Sequence, residues 1–317
     1  MRVHVLDDWH DTLRGLPCFR LLDGHDVTVW TDHEPDPVRL AARLAGAEAL
    51  CLFRERTAVG EALLAGLPDL RLVSLRGAHP HVDLDACRRH GVTVCSRTGG
   101  DGAPNHAAAE LTLALMLASL RQIPQQMASL RAGDWQAGVG RTARGRVLGL
   151  LGYGRIARAV AGYADALGME VVCWGSEAGR ARAAAEGRRV ASDRRAFFAG
   201  ADVVSLHLRL VPATRGAVGA DDLAAMRDGA LVVNTARAGL VAPGALEAEV
   251  AAGRLRAAVD VFEDEPVRGP HPLLAAPETV ATPHVGFVTE EEFDLQFADV
   301  FAQVAAFAEG RPANVVA

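Results

Sequence analysis

Residues 146–168, RVLGLLGYGRIARAVAGYADALG, constrain this chain more than any other stretch. Val147 to Leu151 is an apolar run too short for a helix and bounded by glycine, the pattern of a buried parallel strand. It ends in Gly152-Tyr153-Gly154-Arg155-Ile156-Ala157, a G-x-G-x-x-A turn. From there Ile156, Val160, Tyr163 and Leu167 recur at helical spacing, and Gly168 offers a C-terminal stop. Strand, glycine turn and helix in this order suit a dinucleotide. The first glycine allows a sharp turn, the second lets backbone approach a pyrophosphate, and the small Ala157 lets helix pack on strand. The helix N-terminus then offers N–H groups and a positive dipole end to the phosphates. Taken alone, the same pattern also describes a strand–helix turn that binds nothing.

A chain of 317 residues is long enough for two domains, each with a full core. Half of its residues are hydrophobic and 23% charged, which is globular. The N-terminus is charged almost from its start and lacks the apolar core of a signal peptide. The most apolar helical stretch, 111–120, is too short to span a bilayer. The expectation is a cytoplasmic protein with no membrane partner. A net charge of −6 argues against nucleic acid. The 5 cysteines form no C-x-x-C pair, so they read as buried thiols in a reducing compartment. His79 and His81 lack the further ligands of a metal site, and none is expected. The chain also contains no lysine. That excludes Schiff-base and pyridoxal phosphate chemistry and a Walker A loop, leaving His, Glu, Asp and Arg for the work.

In the first part of the chain, 2–6, 27–30, 49–53, 70–75 and 92–95 read as strands, with helices at 38–44, 60–65 and 84–90. Such alternation means a parallel sheet with helices on both faces. A glycine-rich break at 98–102 marks a boundary. The helix expected from about Pro104 to Arg121 is apolar nearly all round, so it packs between domains or subunits. Residues 122–142 read as polar and irregular around Trp135, long for a connection and suited to an arm embracing a second subunit. After the glycine turn come 5 further strands, at 170–174, 201–207, 230–234, 257–260 and 279–282, with helices including 221–226 and 245–252. The last helix, 290–307, carries Phe293, Phe297, Val300 and Phe301 on one face and is expected to return to the first block. The expected fold class is α/β, two doubly wound parallel-sheet domains. A Rossmann dinucleotide-binding domain (100–285) is inserted into a flavodoxin-like substrate domain (1–99 and 286–317).

Ligands of open α/β sheets sit beyond the carboxyl ends of the strands. Those ends carry His207, then Thr235-Ala236-Arg237, then Asp260 and Glu265, then His284. An arginine, a glutamate and a histidine beside a nicotinamide suit hydride transfer between a 2-hydroxy acid and NAD(P). Arginine anchors the carboxylate with a planar fork. Histidine takes or returns the hydroxyl proton, and a neighbouring carboxylate orients it and keeps it basic. Such acid–base help is worth ~10²–10⁴ in rate.

At these residues the chain resembles a known family. NTARAGLV (234–241), AVDVFEDEP (258–266) and TPHVG (282–286) look like the three signatures of the D-isomer-specific 2-hydroxyacid dehydrogenases, which include phosphoglycerate dehydrogenases and glyoxylate/hydroxypyruvate reductases. The likeness extends to HVDLDACRRHGVTV (81–94) and ELTLALML (110–117). Carried over, it implies Arg237, Glu265 and His284 as the catalytic set and Asp260 at the nicotinamide carboxamide. It implies backbone N–H groups of Gly77, Ala78 and His79 at the substrate carboxylate. It also implies a first domain closed by the C-terminal helix, catalysis in the interdomain cleft, and a homodimer. The cofactor surface expected from turn and strand ends comprises Gly152, Gly154, Arg155, Ile156, Gly175, Ser176, His207, Thr235, Ala236, Asp260 and Gly286.

The chain departs from the family pattern at the tip of the second nucleotide-domain strand. Gly175 stands where an acid usually meets the ribose. Glu177 is a substitute for that acid, while Arg180 and Arg182 suit a 2′-phosphate, so both NAD and NADP stay open, with an inclination to NAD. Arg209 and Ala238 are further departures, from the relatives' H-x-P-L-T pattern and from a usual glycine. Arg54, in an R-x-R-T stretch, is placed to reach a distal phosphate or carboxylate of the substrate, a small 2-hydroxy or 2-keto acid. Two other readings stand beside the enzyme: an NAD(H)-sensing dehydrogenase-like co-repressor, and chemistry on an inorganic oxyanion.

Overall fold

The structure, a computed structural model, describes residues 1–98 and 106–317. The expected glycine-rich boundary, beyond Thr98, and the expected helix start at Pro104 lie outside the described residues. The chain divides into two compact units, one made of Met1–Asp101 with Val288–Ala317, the other of Gly102–Phe287.

The first unit runs β1 (Arg2–Val5), β2 (Asp26–Val29), α1 (Pro37–Arg43), β3 (Ala49–Cys51), α2 (Glu61–Leu64), β4 (Leu72–Arg76), α3 (Leu84–Arg89) and β5 (Thr93–Arg97). All pairs are parallel, in the flavodoxin-like order β2-β1-β3-β4-β5. β3 and the first four residues of β4 are buried throughout, as strands covered on both faces require. Asp36 and Asp83 start α1 and α3 by accepting first-turn N–H groups.

The second unit runs α4 (His106–Leu120), α5 (Ile123–Arg131), β6 (Val147–Leu151), α6 (Arg155–Ala166), β7 (Glu170–Trp174), α7 (Glu177–Ala185), β8 (Arg189–Val190), α8 (Arg194–Gly200), β9 (Val203–Leu206), α9 (Ala220–Ala225), β10 (Leu231–Asn234), α10 (Ala245–Ala251), β11 (Arg256–Val259), α11 (Pro272–Ala275) and β12 (Val280–Ala281). Its sheet is parallel, in the order β12-β11-β10-β9-β6-β7-β8. Leu148 and Leu150 pack toward Val160 and Ala161 of α6 on one face, while Leu151, Val204 and Leu206 join Phe197 and Phe198 of α8 on the other. From β6 the chain winds outward through β7 and β8, then returns to β9 on the opposite side of β6. The strand order therefore reverses at the end of β6, where the glycine turn stands.

Two elements differ from the sequence reading. Residues 122–142 are not irregular throughout: Gln122 takes a left-handed φ of 55°, which breaks α4, and Pro124 in the next first turn opens α5. The sheet also gains β8, whose two residues pair with Val172 and Cys173; Arg189–Val190 is too short and too polar to announce itself. Among the described residues no helix is long and apolar enough to cross a membrane. All 5 cysteines are buried as free thiols.

The last helix, α12 (Glu290–Ala308), belongs to the first unit. Thr289 caps it, and three glutamates in its first turn favour the positive end of its dipole. Phe293 and Phe297 each lie 5.0 Å from Phe53, and Phe301 lies 5.8 Å from Phe19. Buried polar contacts fix the register: Ser74 donates to the Val300 carbonyl at 2.8 Å, and Gln303 donates to Ser74 at 2.8 Å. Asp299 binds Arg76 and Arg97 at 3.0 and 2.8 Å. Beyond the helix, Val94 exchanges backbone hydrogen bonds with Val316 and Ala317, so the tail pairs along β5.

Candidate active site

Gly152 shows why the turn after β6 needs glycine. Its φ is +95°, and a Cβ there would stand 2.8 Å from the His207 carbonyl oxygen and 2.9 Å from Leu208 Cδ2. Gly154 serves as N-cap of α6 without any side-chain cap, and a Cβ on it would meet nothing within 4 Å. An uncapped, open helix N-terminus with Arg155 and Ile156 in its first turn fits a pyrophosphate. Arg182 secures the turn from α7, donating from Nε and an Nη to the Tyr153 carbonyl at 3.0 and 2.9 Å. At the end of β9, His207 Nε2 lies 2.9 Å from Ser205 Oγ. Desolvation pushes the His207 pKa down to about 4, so its ring is neutral at ordinary pH.

The ends of β10, β11 and β12 build the second half of this surface. Asn234, buried at the end of β10, accepts from the Ala236 N–H at 3.1 Å and donates to the Arg237 carbonyl at 3.0 Å. That clamp fixes the backbone from which Arg237 extends its exposed side chain. Thr235 Oγ1 is 2.6 Å from Thr112 Oγ1 of α4, which ties the same loop to the helix beneath. Asp260 is buried beyond β11 and accepts from Thr282 Oγ1 at 2.6 Å and from the N–H groups of Val285 and Gly286 at 2.8 Å each. Burial raises its pKa, and these three hydrogen bonds oppose the rise. Asp260 thereby organises the loop that carries His284.

His284 sits at φ +55°, a conformation that side chains other than glycine seldom take. Its Nδ1 lies 2.5 Å from Glu265 Oε2, and its ring stands edge-on to Phe287 with centroids 5.7 Å apart. The other oxygen of Glu265 accepts from the Phe262 N–H at 2.8 Å. Burial by itself raises the Glu265 pKa. The hydrogen bonds from His284 and Phe262, with the charges of His284 and Arg237, overcome it and hold the carboxyl below its usual range. With Nδ1 on Glu265, Nε2 is the ring nitrogen left to serve a reacting group. The structure thus gathers Arg237, Glu265 and His284 into one electrostatic neighbourhood.

In the first unit, Arg54 follows β3 at φ +58°. Its neighbour Arg56 is held inward, over the rings of Trp9 (3.7 Å) and Phe53 (4.0 Å), and donates to the Asp7 carbonyl at 2.6 Å. Burial lowers the Arg56 pKa to about 10. Gly77 follows β4 at φ +98°, and its carbonyl accepts from Ser96 Oγ at 2.8 Å; Ala78 is exposed and His79 half-buried beside it. These residues occupy the carboxyl ends of adjacent strands of the first sheet.

Sequence reasoning named the polar residues at the strand ends but missed what holds them. Asn234 had a signal, as the polar end of an apolar strand. The collar of Thr282, Val285 and Gly286 on Asp260 had none, because it joins residues of two different loops.

The fold and its glycine turn place the chain in the class of two-unit α/β proteins with an inserted dinucleotide-binding unit. Residues 113–286 match the model of the D-isomer specific 2-hydroxyacid dehydrogenase, NAD binding domain, and the chain belongs to this family. It is 38% identical over 289 residues to the D-3-phosphoglycerate dehydrogenase of Mycobacterium leprae, covering 89% of this chain but 53% of that one. The chain therefore spans about half the length of that relative. It is 37% identical over 260 residues to the (S)-sulfolactate dehydrogenase of Chromohalobacter salexigens, covering 81% of this chain and 83% of that one. The crystal structure of a phosphoglycerate oxidoreductase from Vibrio cholerae superposes with a TM-score of 0.91 at 44% identity, covering 98% of this chain and 99% of that one.

Proposed function

We propose that this chain is an NAD(P)-dependent D-2-hydroxyacid dehydrogenase working as a 2-ketoacid reductase. The observation that carries this reading is the 2.5 Å contact of His284 Nδ1 with Glu265, in the field of Arg237 and beside the glycine turn's sheet edge. The bound dinucleotide supplies or accepts the hydride. Arg237 receives the substrate carboxylate and polarises the 2-carbonyl. His284 Nε2 gives the proton to the carbonyl oxygen in reduction and takes it back in oxidation. Glu265 fixes the tautomer with the proton on Nδ1 and stabilises the imidazolium. Asn234 and Asp260 position the two loops. On the first unit, Arg54 is proposed to recognise an anionic group and the backbone at Gly77, Ala78 and His79 a carboxylate. Phosphoglycerate and sulfolactate, named for two of the relatives, both carry a second anion, which supports an anionic distal group.

The experiment is a panel of 2-keto acids, including glyoxylate, hydroxypyruvate and its 3-phosphate, and sulfopyruvate, with NADH and NADPH. Oxidation of cofactor by at least one is expected. Arg237→Ala and His284→Ala are each expected to lower kcat/KM by ~10²–10⁴ while cofactor still quenches protein fluorescence. Wild-type turnover in either variant, or no turnover with any acid, overturns the assignment.

The working form in this reading is a homodimer. α5 turns Ile123, Met127 and Leu130 outward at i, i+4 and i+7, and the following segment leaves Trp135 76% exposed. A second copy covers this face.

A further inference from the structure

The dinucleotide reading leaves open which cofactor is bound, and the corner at the end of β7 addresses it. In a Rossmann unit the residue at the tip of the second strand meets the adenosine ribose, and an acid there reads the 2′,3′-diol of NAD. Here β7 ends at Trp174 and the tip is Gly175, at φ +149°. A Cβ at this place would stand 3.3 Å from the Gly152 nitrogen and 3.4 Å from its Cα. An acidic residue here would be strained in its backbone and pressed against the phosphate turn. The geometry that seats the turn thus keeps a carboxylate away from this tip.

Other groups gather at the same corner. Ser176 caps α7 by accepting from the Gly179 N–H at 3.2 Å, so the positive end of a nine-residue helix opens beside Gly175. One turn further on, the guanidinium of Arg180 lies 4.4 Å from the centroid of the Trp174 ring. Stacking uses the face of a guanidinium and leaves its in-plane N–H fork to meet an anion. Arg182, the other cation the sequence offered, is committed to the Tyr153 carbonyl through two donors. Glu177 is the first residue of α7 and exposed, where a carboxylate is favoured by the helix dipole alone.

We infer that the site prefers the 2′-phosphorylated dinucleotide, NADP(H), with Arg180, backed by the Trp174 indole, as the residue that reads the 2′-phosphate. This inference rests on the dehydrogenase reading and replaces the sequence-level inclination to NAD.

Binding to the full chain, followed by calorimetry with NADPH, NADH, 2′,5′-ADP and 5′-AMP, tests it without turnover. Wild type is expected to hold NADPH tighter than NADH, and 2′,5′-ADP tighter than 5′-AMP, by about tenfold or more, the scale of a hydrogen bond to a charged group. Arg180→Ala is expected to collapse both ratios toward unity, and Arg180→Lys to restore them in part. Equal or tighter binding of NADH by wild type overturns the inference alone, as does an Arg180→Ala variant that keeps the wild-type ratios. Binding of neither dinucleotide overturns the dehydrogenase reading with it.

Discussion

His284 and Glu265 form one unit, because their contact orients both side chains and His284 helps to hold the Glu265 carboxyl ionised. The Glu265 carboxyl is held below the ordinary glutamate value of 4.5 by its hydrogen bonds and the nearby cations, against the effect of burial. Its contribution to stability is therefore fully present above that value and is lost as pH falls through the lowered native one. Glu265→Gln is expected to melt at a lower temperature than wild type at neutral pH. The gap should close as the medium is acidified past the ordinary glutamate range. Melting curves across that range check the sign, and a gap that widens in acid contradicts it. The candidate residues themselves were legible, since Arg237, Glu265 and His284 each follow an apolar strand at a sheet edge. Their supports were not. Asn234 stood out as the polar end of an apolar strand, but its grip on the Arg237 carbonyl, like that of the Phe262 N–H on Glu265, depends on a loop conformation that no side-chain pattern encodes.

The strand–turn–helix of β6 and α6 was the most readable element, because apolar run, glycines and helical period all agreed. Its structure adds a reason that spacing alone lacked: Gly152 is wedged against the chain leaving β9. Gly152→Ala is expected to cost about 1–3 kcal/mol from the left-handed backbone alone. Contact with the His207 carbonyl adds to that and displaces the turn. A fall in both Tm and dinucleotide affinity is the expected result, and unchanged affinity for either cofactor would count against the turn as the phosphate seat. Elements set by tertiary contact were less readable. β8 exists because Arg189 and Val190 find the edge of β7, and α5 begins where Gln122 turns left-handed, neither being a matter of local hydrophobic period.

At the scale of the molecule, the exposed apolar face of α5 is the feature a solitary chain least explains. Sedimentation is expected to give the mass of two chains, and Leu130→Asp combined with Trp135→Ser to give one. A wild-type chain that sediments as a monomer at micromolar concentration removes the dimer from the proposal. The two-domain, inserted layout was readable because strands and helices alternate throughout and the first block lacks a closing helix of its own, which the last helix supplies. The discontinuity of the first unit also has a meaning in time. Its sheet is assembled from the first part of the chain, yet Phe53 packs on Phe293 and Phe297 of α12, Ser74 bonds to Val300 and Gln303 of the same helix, and Val94 pairs with residues that follow it. During synthesis the ribosome delivers the whole inserted unit before those partners exist. The unit made first is therefore the one finished last, and until then its half-built face is the surface of the nascent chain most in need of a chaperone's cover.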